Sequence, residues 1–253
     1  MAITQTTQHY SENNPASLEV RAQGWMALSA LRQDHERRQR VREANAGEVA
    51  RLTRSVFAWA TEATETYNEH WLVEGRPTPY EPFPPYPYMD AAFQLMDAER
   101  IIWWEKSRDM MLTWACVAYL TFKAMTIPEC GILFQCQKED KSEQLVDYGK
   151  CLWERQRNVL REEFPLIKPL HRQDKLTLEF ANGSYLHGVP GGADQVRSYH
   201  PWGLLNDESS FQPEAGECFT EALSAVKGKI IFNSSAGPGW YADVRHDIIR
   251  TIE

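Results

Sequence analysis

The strongest constraint on the fold is a rhythm in the chain from about residue 90 onward. Short apolar runs alternate with longer segments of helical periodicity. Ile101-Ile-Trp-Trp104, Cys130–Cys136, Gly203–Asp207 and Lys229–Ser235 read as strands. Asp90–Glu99, Met110–Phe122, Asp140–Glu163, Glu214–Val226 and Trp240–Ile252 read as helices; Leu145, Tyr148, Leu152, Val159 and Leu160 share one side of the third. Leu176–Phe180 and Tyr185–Val189 flank Asn182-Gly183, a strong hairpin signal. Such alternation implies an α/β fold with a mostly parallel sheet and helices on both faces. Ligands of such sheets bind outside the carboxyl ends of the strands.

The beginning of the chain reads differently. Residues 1–16 look like a loose tail, and Ser17 can cap a helix carrying Leu18, Trp25, Leu28 and Leu31. Asn45-Ala-Gly47 breaks the helical pattern, and Val49, Leu52, Val56 and Trp59 resume it. Pro77 to Pro87 holds six of the chain's 14 prolines, which predicts an extended connector. We therefore expect a helical N-terminal segment over 1–76 and the α/β domain over 77–253, with no internal repeat. The basic run Arg37–Arg42 could touch DNA or a partner, but Glu36 and Glu43 beside it favour a solvated helix face.

Composition removes several classes. Nine Trp and 11% aromatics exclude a disordered chain. A net charge of -8 excludes a bulk polycationic partner for nucleic acid. Five cysteines without CxxC spacing argue against a disulfide framework or zinc knuckle and for a reducing compartment. The polar start lacks the apolar core of a secretory signal, and the longest apolar window, Met110–Phe122, falls short of the roughly 20 residues a membrane span needs. His171, His187 and His200 lack metal-ligand spacing and read as structural, as Trp103 and Trp104 read as core.

The chemistry should then lie where strands end. Glu105–Asp109 follows the first strand and opens a helix, a natural anion site in which Lys106 and Arg108 add charge and Thr113 offers a hydroxyl to Mg2+. The segment lacks the GxxxxGK[ST] pattern, and alone it reads better as a polar strand-to-helix turn. Asp207-Glu208 closes another strand; paired acids there suit a metal ligand and a base, or a helix start. Asn233-Ser-Ser235 closes a third and suits a γ-phosphate contact, or a capped strand exit. Their coincidence at one edge of one sheet favours a P-loop-type nucleoside triphosphatase.

On these residues the chain resembles the ATPase domain of the large terminase subunit of tailed bacteriophages, from about Pro77 to Tyr241. Tyr86-Pro-Tyr-Met89 resembles the adenine-side motif, with Met89 where Gln is usual. Lys106–Thr113 resembles the divergent Walker A, and Phe134–Lys141 the segment after the second strand. Val189–Ser198 with Leu204–Phe211 resembles the arginine-plus-Walker B block, and Ile231–Ala236 the coupling motif. Met111 stands where the loop usually has glycine, and Asp109 where a neutral or basic residue is common.

The resemblance implies an ASCE/RecA-like P-loop NTPase that hydrolyses ATP with Mg2+ to drive double-stranded DNA into proheads. It implies that Lys106, Ser107 and Arg108 bind phosphate, Tyr88 stacks on adenine, and Thr113 and Asp207 hold Mg2+. Glu208 would be the catalytic base, Arg197 a finger serving a neighbouring subunit, and Ser234 and Ser235 the coupling residues. It implies a ring, a portal protein and a small terminase subunit as partners, no membrane, and the host cytoplasm. The nuclease domain typical of the family has no counterpart in the sequence after Ser235. The alternative is an assembly or binding module whose nucleotide site has decayed. Loss of ATP binding on removing the Lys106 charge would separate the two.

Overall fold

The structure is a computed structural model; it describes residues 32–33, 36–37, 39–41, 43–108, 110–167 and 176–244. The helix expected after Ser17, His171, Asp109 and the end of the last expected helix lie outside them. Among the described residues before Val49 the backbone is helical and the side chains mostly exposed. Arg40 lies 3.7 Å from Glu36, the solvated arrangement that the interspersed charges predict.

A second compact unit begins at Val49. Helix α1 (Val56–Ala63) buries Val56 and Trp59 in the same core as the residues that follow. Ser55 caps α1 by accepting from the Ala58 amide. The proline-rich segment is also more than a connector. Its Tyr80–Pro82 is a short strand (β2) paired antiparallel with β1 (Glu65–Tyr67).

The main sheet has six strands. They are β3 (Ile101–Lys106), β4 (Gly131–Cys136), β5 (Thr177–Glu179), β6 (Tyr185–Pro190), β7 (Gly203–Asp207) and β8 (Lys229–Ser235), in the order β3-β8-β7-β4-β6-β5. All pairs are parallel except the β5–β6 hairpin. The four strands expected to neighbour one another do so. β4 and β7 are buried throughout, as strands covered on both faces must be.

Helices α2 (Pro87–Ala98), α3 (Leu112–Thr126), α4 (Glu139–Arg155), α5 (Asn158–Glu163), α6 (Ala193–Tyr199) and α7 (Ala215–Ala225) cover the sheet. One apolar cluster centres on α3 with α1, α2 and α4; the other, on the opposite face, joins α7 to Leu204, Ile230 and Phe232. The predicted helix 140–163 is in fact two. Gln156 breaks it, held by the Trp59 indole at 3.0 Å, while the Arg157 amide donates to the Ala63 carbonyl. Asn182 supports the hairpin turn by donating to the Ala124 and Met125 carbonyls at the end of α3. His187 bonds Thr177 and Tyr199, and Trp103 packs on Phe219, Phe232 and Trp240, both structural roles.

Candidate functional site

Strand register assembles the site. β3 runs past Trp104 through Glu105 to Lys106, which lies opposite Ser235 on β8. β8 in turn sets Asn233 opposite Asp207 on β7. Three strand ends therefore deliver a lysine, a small-polar triplet and a carboxylate to one place on the carboxyl edge.

After Lys106 the chain turns sharply into α3. Met111, just before the helix, has φ 53 and ψ 16, the left-handed region. The residue standing where glycine is usual in the resembled loop thus adopts the conformation glycine favours, at a cost of about 1–2 kcal/mol for an L side chain. No side chain caps α3. Its first amides are left to the loop side, where an anion can bond them.

Asp207 is buried and accepts from the Thr113 hydroxyl at 3.2 Å and from Asn233 Nδ2 at 2.5 Å. Asn233 Nδ2 also lies 3.1 Å from Thr113 Oγ1. Burial raises the Asp207 carboxyl above the ordinary carboxylate range, opposed by Lys106 at 4.0 Å and reinforced by Glu208. Glu208 stands at φ 55. It accepts from Lys106 Nζ at 2.7 Å, from the Ser235 amide at 3.1 Å and from the Ser235 hydroxyl at 3.2 Å. Burial works against its charge, but these donors prevail and hold its carboxyl below the usual value. Ser234 Oγ accepts from the Ser210 amide at 3.0 Å, tying β8 to the turn that follows Glu208.

The residues present fit Mg2+. Asp207 and Thr113 are hard oxygen donors, and Mg2+ is commonly held by one or two carboxylates together with substrate phosphates. Asn233 Oδ1 is buried beside them and makes no hydrogen bond, an acceptor suited to a cation's water shell. Sequence reasoning gave Asn233 no individual role, although it stood beside the Ser234-Ser235 pair that was singled out. Among the described residues no group of three or more His, Cys, Asp or Glu side chains forms a softer metal cage.

A cleft of about 1160 Å³ opens over this edge, lined by the loop residues Ser107 and Arg108, by Lys141 and Tyr148 of α4, and by Glu69 and Arg76 before β2. The structure brings Lys106, Ser107, Arg108, Thr113, Asp207, Glu208 and Ser235 to it. Tyr88 instead donates its hydroxyl to the Met110 carbonyl at 2.9 Å and stacks on Tyr86 at 5.4 Å; of these two rings Tyr86 lines the cleft. Arg197 is not brought to it. It lies on α6 in a two-pronged pair with Glu221 of α7, at 3.0 and 2.6 Å. No helix among the described residues is long and apolar enough to cross a membrane.

A parallel sheet with helices on both faces, carrying a lysine, a hydroxyl and an acid pair at the carboxyl ends of adjoining strands, is a P-loop-type fold. Within that class the fold is that of large terminase ATPase domains. The bacteriophage HK97 large terminase is similar with a TM-score of 0.52 at 10% identity, over 68% of this chain and 38% of that one. The ATPase domain of the Thermus phage P74-26 large terminase gives 0.46 at 13% identity, over 71% and 73%. The large terminase of another thermophilic bacteriophage, in complex with ADP, gives 0.40 at 15%, over 58% and 36%. No family model matches the sequence, and no curated protein matches it.

Proposed function

We propose that the chain is the ATPase motor domain of a viral DNA-packaging terminase. The observation that carries this reading is the convergence of Lys106, Thr113, Asp207 and Glu208 on one strand edge, at distances of 2.7–4.0 Å from one another along the chain of contacts. ATP is the substrate. Lys106 and the first amides of α3 would hold its terminal phosphates, with Arg108 adding charge. Asp207 and Thr113 would hold Mg2+, which would supply positive charge to offset that of the phosphates.

Lys106 and Ser235 both donate to Glu208. A phosphate that draws Lys106 away frees this carboxylate to take a proton from the attacking water. Ser235, bonded to Glu208 and laddered to Lys106, then senses which partner each has. Arg197, exposed on α6, would serve a neighbouring copy in a ring. The proposed partners are double-stranded DNA, a portal protein and a small terminase subunit, in the host cytoplasm. The test is Mg2+-dependent ATP hydrolysis by the purified chain, stimulated by proheads and DNA. Wild-type protein that binds no Mg-ATP, or binds it equally well after Lys106→Ala, would leave only the assembly-module reading.

A further inference from the structure

A chain of buried carboxamides runs under the site and takes no part in the chemistry above. Gln135 on β4 is fully buried, opposite Asn206 on one side and Val189 on the other. Its Nε2 donates to the Pro190 carbonyl at 3.2 Å and the Gly192 carbonyl at 2.9 Å. Its Oε1 accepts from Asn206 Nδ2 at 2.8 Å. Asn206 Oδ1 accepts from the Ser209 hydroxyl at 2.7 Å and from Gln212 Nε2 at 2.9 Å. Gln212 Nε2 also donates to the Asp207 carbonyl at 2.8 Å.

Both ends of this chain stop at groups the proposed reaction needs. One end clamps the turn in which Glu208 holds φ 55, between the Asp207 carbonyl and Ser209. The other end grips Gly192, whose φ of 129 starts α6, the helix of Arg197. Gly191 lies beside this end, and a Cβ there would sit in ordinary contact, 3.4 Å from Gln212 Oε1 and from the Cys136 carbonyl.

The polarity of the chain is fixed as well. Gln135 faces two carbonyls, so its amide must point its nitrogen at them and its oxygen at Asn206. Asn206 must then present its oxygen to Ser209 and Gln212. No member can flip without breaking its neighbours' bonds, and an unsatisfied buried amide is strongly unfavourable. Movement of the 190–192 loop would therefore be felt at the Glu208 turn.

We infer that Gln135, Asn206 and Gln212 are positioning residues that set the Glu208 turn according to where the 190–192 loop holds the start of α6. The inference rests on the ATPase reading for its consequence, though not for its geometry. A displacement of about 1 Å in a reacting group can lower a rate on the order of 100-fold.

The experiment compares wild type with Gln212→Met, which cuts the link at the Glu208 turn, and Gln135→Glu, which keeps the acceptor for Asn206 and removes the donors to the loop. ATP affinity is read with a fluorescent ATP analogue, single-turnover hydrolysis with ATP, and amide hydrogen exchange without nucleotide. The relay predicts kcat lowered about 10- to 100-fold with affinity within two-fold. It also predicts that Gln135→Glu raises exchange at 207–211 together with 190–196, and that Gln212→Met raises it at 207–211. Full kcat per folded molecule, with exchange changed only beside the substituted residue, overturns the inference and leaves the ATPase reading standing. If wild type itself neither binds nor hydrolyses Mg-ATP, that reading fails separately. Exchange then decides alone: spread from one end to the other retains the link, and confinement overturns it.

Discussion

Replacing Glu208 by Gln should tighten ATP binding while abolishing turnover. The Glu208 carboxylate holds Lys106 at 2.7 Å, with the Glu208 side chain 37% exposed and that of Lys106 13%. ATP must take Lys106 from this partner. A charge-assisted hydrogen bond contributes about 1.5–3 kcal/mol. Solvent around Glu208 screens it, and a Gln in its place keeps a neutral hydrogen bond, so about 1 kcal/mol of competition disappears. That corresponds to roughly five-fold tighter binding. The amide cannot accept the water's proton, and loss of such a base lowers the rate on the order of 10²–10⁴-fold. Titration calorimetry with ATP and Mg2+, beside single-turnover hydrolysis, reads both quantities on one sample. Weaker binding in Glu208→Gln would refute the competition for Lys106. An unchanged rate would remove Glu208 from the mechanism.

Asp207→Ala should remove the Mg2+ dependence of nucleotide binding, seen by comparing affinity with and without chelator. Because burial raises the Asp207 carboxyl, protons should compete with Mg2+ at a higher pH than for an ordinary carboxylate; equal Mg2+ affinity at pH 7.5 and at about pH 5 would refute this. The same raised value means Asp207 favours the folded state at low pH and detracts from it as pH rises toward and past the folded value. Asp207→Asn should therefore raise the melting temperature of the metal-free protein at neutral pH by roughly 2–4 °C for each 1 kcal/mol relieved, and a fall in scanning calorimetry would contradict it. Arg197→Ala should leave ATP affinity intact and remove any rise of specific activity with protein concentration. Mixing it with Glu208→Gln should restore partial activity, and no recovery in demonstrably mixed oligomers would confine Arg197 to its pair with Glu221.

The parts of this site visible in the sequence are those whose chemistry and position coincide in the chain. Asp207-Glu208 and Ser234-Ser235 close apolar runs, so strand and function are read from the same few letters. Lys106 is legible as a site residue, but the apolar run ends at Trp104 because Glu105 and Lys106 break it; only the ladder to β8 shows that the strand continues. The break at Gln156 depends on Trp59, and the placement of 49–76 on a core supplied by α2 and α3, both contacts between distant parts of the chain. Strand order is likewise non-local. The sequence has no means of declaring that β3 lies at one edge or that β6 separates β4 from its hairpin partner β5. Gln135 did carry a local signal, as an amide inside the buried run Gly131–Cys136, but its partners come from two other strands' ends.

The ladder between β3 and β8 has a mechanical consequence. Six residue pairs lie in parallel register from Ile101↔Ile230 to Lys106↔Ser235. A tug along the strand axis loads those bonds side by side, in shear, so they share the force and none can be peeled off first. The lysine and the serine at its tip are thus rigidly yoked, like two prongs of one fork. If the domain drives a motor as proposed, its stroke cannot come from sliding one past the other. The compliance has to reside elsewhere, in joints not stitched into that ladder.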